Sequence, residues 1–222
     1  MRISDSTALA APVRVTVRSK AECVGEAQLD GFRCSDGPAA REVELIVGNL
    51  LSGAAVPQTV AFVNDLASGA LLGIASVRLD GNAQLRAKSS TPWFLRRLAT
   101  NPYVNMIARD ERYAGRVLLD GRTRLGTAIL RAGLEALAAE AGAEKLPTVW
   151  ALIRRENEVS KRAFGEFAFY PHDRSSENQQ DVFVRRAGRR LPPAPPPDAY
   201  IPLGQEPAVR ALGRAPAGER SS

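Results

Sequence analysis

The longest helix-forming segment of the chain lies between two strand-forming segments, and this arrangement limits the fold more than any other feature. Residues 103–109 have the composition of a strand, and residues 126–141 carry apolar side chains at helical spacing. Residues 147–153 form a nearly continuous apolar run, which is typical of a strand buried on both faces. The segment 107–130 therefore begins as a strand and ends as a helix, with a loop containing glycine and arginine between them.

The rest of the first 185 residues also alternates between strand and helix patterns. Further strands are predicted at 13–17, 59–63, 71–79 and 181–184, and further helices over 19–31, 38–53 and 157–167. Residues 80–102 read as irregular, with a short helix near 93–98. The strands at 59–63 and 71–79 should pair as a hairpin, because turn residues separate them. This order predicts a mixed α/β domain around a single sheet.

Composition changes sharply after residue 185. Eight of the fifteen prolines lie from Pro192 onward, and proline removes backbone donors and fixes φ. The sequence therefore predicts three parts: a flexible N-terminus over 1–12, a folded domain over 13–185, and a tail over 186–222. The tail should be largely disordered, or else laid along the domain in an extended form.

Composition and charge also narrow the function classes. No apolar run approaches the ~20 residues of a membrane span, and the two cysteines are too few for a disulfide framework, so a cytoplasmic protein is expected. With His172 as the one histidine and no Cys/His cluster, we expect no metal. The net charge of +6 suits an anionic ligand, or no partner at all. Nucleic acid is an unlikely partner on charge alone, because the arginines are scattered.

The loop before the helix at 126–141 has the elements of a phosphate site. A helix N-terminus presents unpaired N–H groups and a partial positive charge, and small residues let a phosphate approach the backbone. Arg116, Arg122 and Arg124 add positive charge. A phosphate or pyrophosphate is therefore expected there, with a solvated surface turn as the alternative. The glycine spacings of the Rossmann and P-loop motifs are absent.

Two pieces of this loop resemble the halves of the acyl-CoA motif of the GNAT N-acetyltransferases. Arg112 and Gly115 match the first half of that motif, and Leu125 and Gly126 match the second. Residues 117–124 fill the place where one glycine usually stands, so seven residues look inserted.

A second segment, 150–169, resembles the strand–helix signature that follows in the same family. Asn157, Ser160 and Phe169 match that signature. Phe164 stands where a tyrosine is common, and Ala168 replaces a glycine. The two motifs occur in the family's order and at about its spacing.

The resemblance implies a GNAT fold. Its mixed central sheet would have about six to seven strands, splayed between the strands at 103–109 and 147–153, with about four flanking helices. It implies acetyl-CoA as cosubstrate, no metal, and a primary amine of a small molecule or protein as acceptor. Pantetheine would lie in the splayed gap and the pyrophosphate at the helix start. The residues implied in acetyl-CoA binding are Ile107, Ala108, Arg109, Arg122, Arg124, Leu125, Gly126, Thr127, Ala128, Asn157, Ser160 and Phe164.

The catalytic groups are less defined than the binding groups. In many family members the tyrosine at the position of Phe164 protonates the leaving thiolate, which phenylalanine cannot do. Tyr170 is the candidate for this acid, although its place in the following strand can point its hydroxyl elsewhere. The central strand carries no glutamate that could act as a base. Many members of the family manage with ordered water instead.

Two other functions stay open alongside the N-acetyltransferase. One is a GNAT-fold binding or regulatory domain with weak or no catalysis, which the split loop and Phe164 favour. The other is a toxin-like protein that acetylates aminoacyl-tRNA, because residues 32–34 are similar to the F-x-C start of such toxins. A homodimer is also left open.

Overall fold

The computed structural model describes residues 7–19, 29, 32–34, 44–45, 47–49, 59–142, 146–174 and 179–205. The helix predicted over 19–31 lies almost entirely outside these residues. Of the helix predicted over 38–53, the described residues 44, 45 and 47–49 are helical.

An open sheet of eight strands forms the centre of the molecule, in the order β6-β7-β5-β4-β3-β2-β1-β8. Its strands are β1 (Val13–Ser19), β2 (Thr59–Asp65), β3 (Leu71–Arg78), β4 (Tyr103–Arg109), β5 (Val149–Arg154), β6 (Tyr170–Arg174), β7 (Gln180–Arg185) and β8 (Tyr200–Ile201). The helices are α1 (Ala83–Ala87), α2 (Trp93–Leu98), α3 (Leu125–Glu140) and α4 (Glu158–Glu166), and a 3-10 turn covers Glu111–Tyr113. The predicted hairpin is confirmed, because β2 and β3 pair antiparallel.

Helix α3 lies across β2, β3 and β4 and is buried along most of its length. Its close approach to the sheet depends on Gly133. A Cβ atom at this position would lie 2.7 Å from the Cβ of Ala75 on β3. The apolar side chains of α3 pack into two clusters, one with β1–β3 and one with β5 and α4. The mixed α/β fold around one sheet is therefore confirmed.

Over residues 186–205 the tail lies along the domain in an extended form, which is the second of the two predicted alternatives. Two Arg131 hydrogen bonds of 2.7 Å go to the carbonyls of Pro192 and Pro193, and β8 pairs parallel with β1. Tyr200 is fully buried, and its hydroxyl donates to Glu135 on α3 at 3.0 Å. Proline excludes helix but not an extended chain that an arginine and a tyrosine anchor. The tail thus supplies the eighth strand; residues 206–222 lie outside the described part.

The end of α4 provides a stability prediction. Ala168 has a φ of 60°, and the Phe169 N–H donates to the Phe164 carbonyl at 3.2 Å, a helix end at which glycine is usual. Replacing Ala168 by glycine should stabilise the protein by about 1 kcal/mol, because an L-residue pays that cost in the left-handed region. Urea unfolding measures the change. Ala163→Gly inside the same helix should destabilise by a similar amount, and equal signs for the two variants would contradict the explanation.

Candidate active site

The central feature of the site is a gap between the two parallel strands β4 and β5. They pair only at Tyr103 with Trp150 and at Val104 with Ala151. Beyond these two positions β4 continues to Arg109 and β5 to Arg154 without pairing to each other. The strands therefore diverge toward their carboxyl ends and leave a V-shaped opening in the sheet.

A bulge in β4 lies where this gap begins. Ser76 of β3 is opposite Met106, but the next pair is Val77 with Val104, so Asn105 is an extra residue. Past the bulge, the backbone N–H of Asp110 donates to the Leu72 carbonyl of β3 at 3.0 Å. Because the direction of backbone groups alternates along a strand, the main-chain groups of Ile107 and Arg109 face the gap. An extended ligand could pair with Ile107 as a further strand would.

Helix α3 begins beside the open end of this gap. Its N-cap Arg124 is extended, and the first helical bond runs from the Ala128 N–H to the Arg124 carbonyl at 3.1 Å. The N–H groups of Gly126 and Thr127 make no hydrogen bond with any described residue. A Cβ atom at Gly126 would meet nothing within 4 Å, so the backbone is open to approach there.

The splayed parallel pair, joined by a helix that begins at its open end, decides the fold family. The chain has the GNAT fold. The order of the elements along the chain and the position of the splay, between 103–109 and the strand after α3, are those that the sequence resemblance implies.

Solved structures with a similar fold include acetyltransferases of the GNAT family. The ribosomal-protein-S5-alanine acetyltransferase of Vibrio fischeri is 10% identical, with a TM-score of 0.44 over 80% of this chain and 94% of that one. The Arabidopsis thaliana protein NAA60, solved with a bisubstrate analogue, is 13% identical, with a TM-score of 0.45 over 77% and 97%. The spermidine/spermine N-acetyltransferase SpeG of Vibrio cholerae is 14% identical, with a TM-score of 0.42 over 77% and 91%.

These similarities concern the fold alone, because the identities are low and every one of these TM-scores is below 0.5. No protein-family model and no curated protein matches the sequence.

Residues 117–124, the predicted insertion, form a small hairpin beside the helix. Val117 and Arg124 form an antiparallel β-bridge across the hairpin. At its turn, the Asp120 carboxylate accepts from the backbone N–H groups of Arg122 and Thr123 at 2.9 Å. Leu118 is fully buried against the core. The hairpin therefore packs inward and leaves the space above Gly126 open.

The N-terminal segment pairs with this hairpin. Ala8 and Val117 form a parallel β-bridge, and the Leu9 N–H donates to the Val117 carbonyl at 2.9 Å. The hairpin therefore offers Ala8 and Leu9 a strand edge, and the flexible N-terminus predicted over 1–12 stays a prediction. Residues 1–6 lie outside the described part.

The first turn of α3 offers fewer amides than the resemblance implied. The Leu125 N–H donates to the Arg116 carbonyl at 3.1 Å, where the hairpin closes, and the Ala128 N–H is used inside the helix. The side chains of Leu125 and Ala128 are buried. Binding from this turn would therefore fall on Gly126 and Thr127.

Positive charge surrounds this turn. Arg122 and Arg124 are exposed and Arg116 is half-buried, and within the described part of the chain none of the three forms an ion pair.

Arg112 is different, because its guanidinium holds the buried Asp110 carboxylate at 2.8 and 2.9 Å. Burial alone would raise the pKa of Asp110, but the hydrogen bonds from Arg112 outweigh it and lower that pKa. Arg112 therefore orders the loop.

The residues predicted on α4 have structural contacts of their own. Asn157 is the N-cap of α4, and its side-chain oxygen accepts from the Ser160 N–H at 3.0 Å. Both are half-buried and follow β5 at the open end of the gap. Phe164 is 3% exposed and packs edge-to-face on Phe169 at 4.9 Å, so it has little surface to offer a ligand.

Tyr170 does not suit the role of catalytic acid. It pairs with Val184, which is opposite Trp150, and Trp150 lies where β4 and β5 are still paired. Its hydroxyl accepts from Arg186 at 2.9 Å. Tyr170 thus lies at the closed end of the gap, because the strand register sets its level in the sheet.

Two contacts at the site were missed by the sequence reasoning. The Thr127 hydroxyl donates to the Glu166 carboxylate at 3.0 Å, which puts a negative charge beside the start of α3. No sequence signal joins two residues that lie 39 positions apart.

The second missed contact lies at the mouth of the gap. The backbones of Cys34 and Asp110 form an isolated antiparallel β-bridge. The Glu111 N–H donates to the Arg33 carbonyl at 2.9 Å. Burial raises the pKa of the Cys34 thiol to about 11, and a hydrogen bond from the Arg109 backbone opposes that rise. The segment 32–34 therefore covers part of the β4 edge that faces the gap.

Among the described residues there is no group of three or more histidine, cysteine, aspartate or glutamate side chains that could hold a metal ion. None of the helices in the described part of the chain has the length and apolar character to cross a membrane.

Proposed function

We propose that the protein is an acetyl-CoA-dependent N-acetyltransferase that transfers an acetyl group to a primary amine of a small molecule or a protein. The observation that carries the proposal is the gap between β4 and β5, which leads to the unpaired amides of Gly126 and Thr127. An extended amide-containing arm that ends in a diphosphate fits this combination of strand edge and helix N-terminus.

Individual residues can be assigned to parts of the cosubstrate. Main-chain groups of Ile107 would pair with the pantetheine amides as a neighbouring strand does. The amides of Gly126 and Thr127 would hold the pyrophosphate, and Arg122 and Arg124 would add positive charge at an exposed position. The open space at Gly126 supports the fit, because a phosphate oxygen must reach the backbone there.

Catalysis in this site would rest on orientation and polarisation. Acetyl-CoA supplies an activated thioester, whose carbonyl carbon bonds to the amine nitrogen while the C–S bond breaks and the amine proton leaves. Backbone N–H groups of β4 next to the bulge are suited to polarise the carbonyl. Neither Phe164 nor Tyr170 is suited to protonate the thiolate, so we assign this proton to solvent.

Thermal unfolding with and without acetyl-CoA tests this function. A ligand present at 100 times its Kd should add about 2.7 kcal/mol to the free energy of unfolding. Desulfo-CoA, which keeps the pyrophosphate, should give a comparable shift. An unchanged melting temperature at millimolar acetyl-CoA would reject the proposal.

A GNAT-fold domain without acetyl transfer is the second candidate, and two contacts favour it. The Glu166 carboxylate lies where the pyrophosphate is expected, and like charges repel. The Arg109 backbone already hydrogen-bonds to Cys34 at the edge of the gap. If the Cys34 contact keeps the ligand out, acetyl-CoA will not bind even when Glu166 loses its charge.

Replacing Glu166 by glutamine should tighten acetyl-CoA binding about five- to tenfold. The amide keeps a hydrogen bond to Thr127 but removes a charge whose repulsion at an exposed position costs about 1 kcal/mol. Isothermal titration calorimetry at low salt measures the effect, and 1 M NaCl should reduce it. Glu156→Gln is the control, because Glu156 lies in the turn before α4 and pairs with Arg154. A weaker affinity in the Glu166 variant would show that the carboxylate assists binding.

A further inference from the structure

A shallow groove of about 240 Å³ lies on the opposite side of the sheet from α3. Its lining residues are Trp93, Phe94, Arg97, Leu98, Asn101 and His172. Helix α2 forms one wall and strand β6 the other, and the Phe94 and His172 rings meet edge-to-face at 6.4 Å. Because α2 leads into the first residue of β4, the groove lies near the closed end of the gap and is separate from the proposed acetyl-CoA site.

Trp93 has no evident role in folding. Its side chain is 75% exposed, whereas Leu95 in the same helix is buried against Trp150 and Val184. Indole rings are large apolar groups that usually pack in cores or interfaces. A tryptophan held at the rim of a groove by the first turn of a helix is therefore available to stack on a flat ligand.

The sequence segment that contains Trp93 carries charges of a single sign. Between Asp80 and Asp110 the sequence has no acidic residue, and its basic residues there are Arg86, Lys88, Arg96, Arg97 and Arg109. Arg86, Lys88 and Arg97 are exposed, while Arg96 is tied to the Thr91 carbonyl at 2.9 Å. Next to the groove, Arg186 lies over the ring of Tyr170 at 5.4 Å. A net charge averaged over the chain hides this concentration.

We propose that this groove binds single-stranded nucleic acid, with one base stacked on Trp93 and the flanking phosphates held by Arg97 and Arg186. Exposed aromatic rings that stack on bases, combined with cationic side chains that follow the backbone, are the usual chemistry of such sites. An acidic peptide would use the arginines but would leave the indole ring without a partner. A membrane surface needs a wider apolar face than one ring and a shallow groove.

Tryptophan fluorescence tests the proposal directly. The protein has two tryptophans, and Trp150 is fully buried, so quenching by a bound strand reports on Trp93. Titration with a 12-nucleotide oligouridine at 50 mM salt should quench the emission. The affinity should fall as salt rises, with a slope of about −0.7 for each phosphate that is neutralised. A titration without quenching would overturn the proposal.

Two variants separate stacking from charge. Trp93→Ala should weaken oligonucleotide binding, followed by anisotropy, about tenfold or more. Arg97→Ala should also weaken it and should reduce the salt slope by about 0.7. Arg14→Ala, an exposed arginine on β1 at the far side of the sheet, and Val159→Ala, an exposed apolar residue on α4, should leave it unchanged. If the Trp93→Ala variant bound the oligonucleotide as tightly as the wild type, the result would contradict the stacking geometry.

Competitors identify the ligand class. If polyglutamate displaced the oligonucleotide as well as unlabelled oligonucleotide does, the groove would be a general anion-binding surface. If uridine monophosphate bound as tightly as the strand, the groove would be a nucleotide site. Either result would overturn the proposal. The inference is independent of the proposed acetyl transfer, and the Trp93 variant should bind acetyl-CoA as the wild type does.

Discussion

Replacing Gly126 by leucine is expected to weaken acetyl-CoA binding at least a hundredfold while leaving the fold intact. The Cα–Cβ bond of a helical residue tilts toward the helix N-terminus, so a leucine in the first turn of α3 would fill the space in front of its unpaired amides. That space is open in the native protein, and leucine is a better helix former than glycine by about 1 kcal/mol. Calorimetric titration with acetyl-CoA measures the loss.

Gly165→Leu is the matched control for this variant. Gly165 is also a helical glycine with nothing within 4 Å of a built Cβ atom, but it lies in α4 and carries none of the predicted amides. Its affinity for acetyl-CoA should equal that of the wild type. If Gly126→Leu bound acetyl-CoA as tightly as the control, the first turn of α3 would not be the pyrophosphate site.

Replacing Arg131 by alanine is expected to destabilise the protein by about 3 kcal/mol. Arg131 is 5% exposed, and it joins the Pro192 and Pro193 carbonyls to α3 and lies 3.5 Å from the Glu135 carboxylate. Removing one partner of a buried ion pair leaves the other charge uncompensated, which is the costly case. The change should appear in the urea-unfolding free energy, and residues 186–205 should become sensitive to protease.

Two further variants show whether the tail is held as described. Tyr200→Phe removes one hydrogen bond to Glu135 and should cost about 1 kcal/mol. Arg14→Ala removes an exposed arginine and should change stability by less than about 0.5 kcal/mol. A loss below 1 kcal/mol in the Arg131 variant would mean that the tail contributes little to the folded state.

Local patterns in the sequence were sufficient for the elements that build the gap. The bounds of β4 were predicted without error, and α3 begins one residue before the predicted start. Both follow from short-range signals: a half-buried strand pattern, and an apolar stripe that begins after a glycine- and arginine-containing loop. The splay itself came from the family resemblance, because no periodicity in either strand indicates where two strands separate.

Contacts between distant parts of the chain could not be predicted from local sequence patterns. Proline content predicted a tail that is either disordered or extended along the domain, and it could not show that Arg131 and Glu135 anchor the tail from a helix about sixty residues earlier. The sequence placed Tyr170 in the strand after α4, but the register of β5, β7 and β6 sets its level in the sheet. Glu166 meets Thr127 because α3 and α4 pack together, and neither residue shows this alone.

The central claim is that acetyl-CoA lies in the gap with its pyrophosphate on the first turn of α3. Titration of the isotopically labelled protein with acetyl-CoA, followed by amide NMR, tests it residue by residue. We predict that the amide signals of Gly126, Thr127 and Ile107 move together with one Kd, while that of Arg14 on β1 stays in place. Amide signals of Gly126 and Thr127 that do not move at millimolar acetyl-CoA would contradict the account.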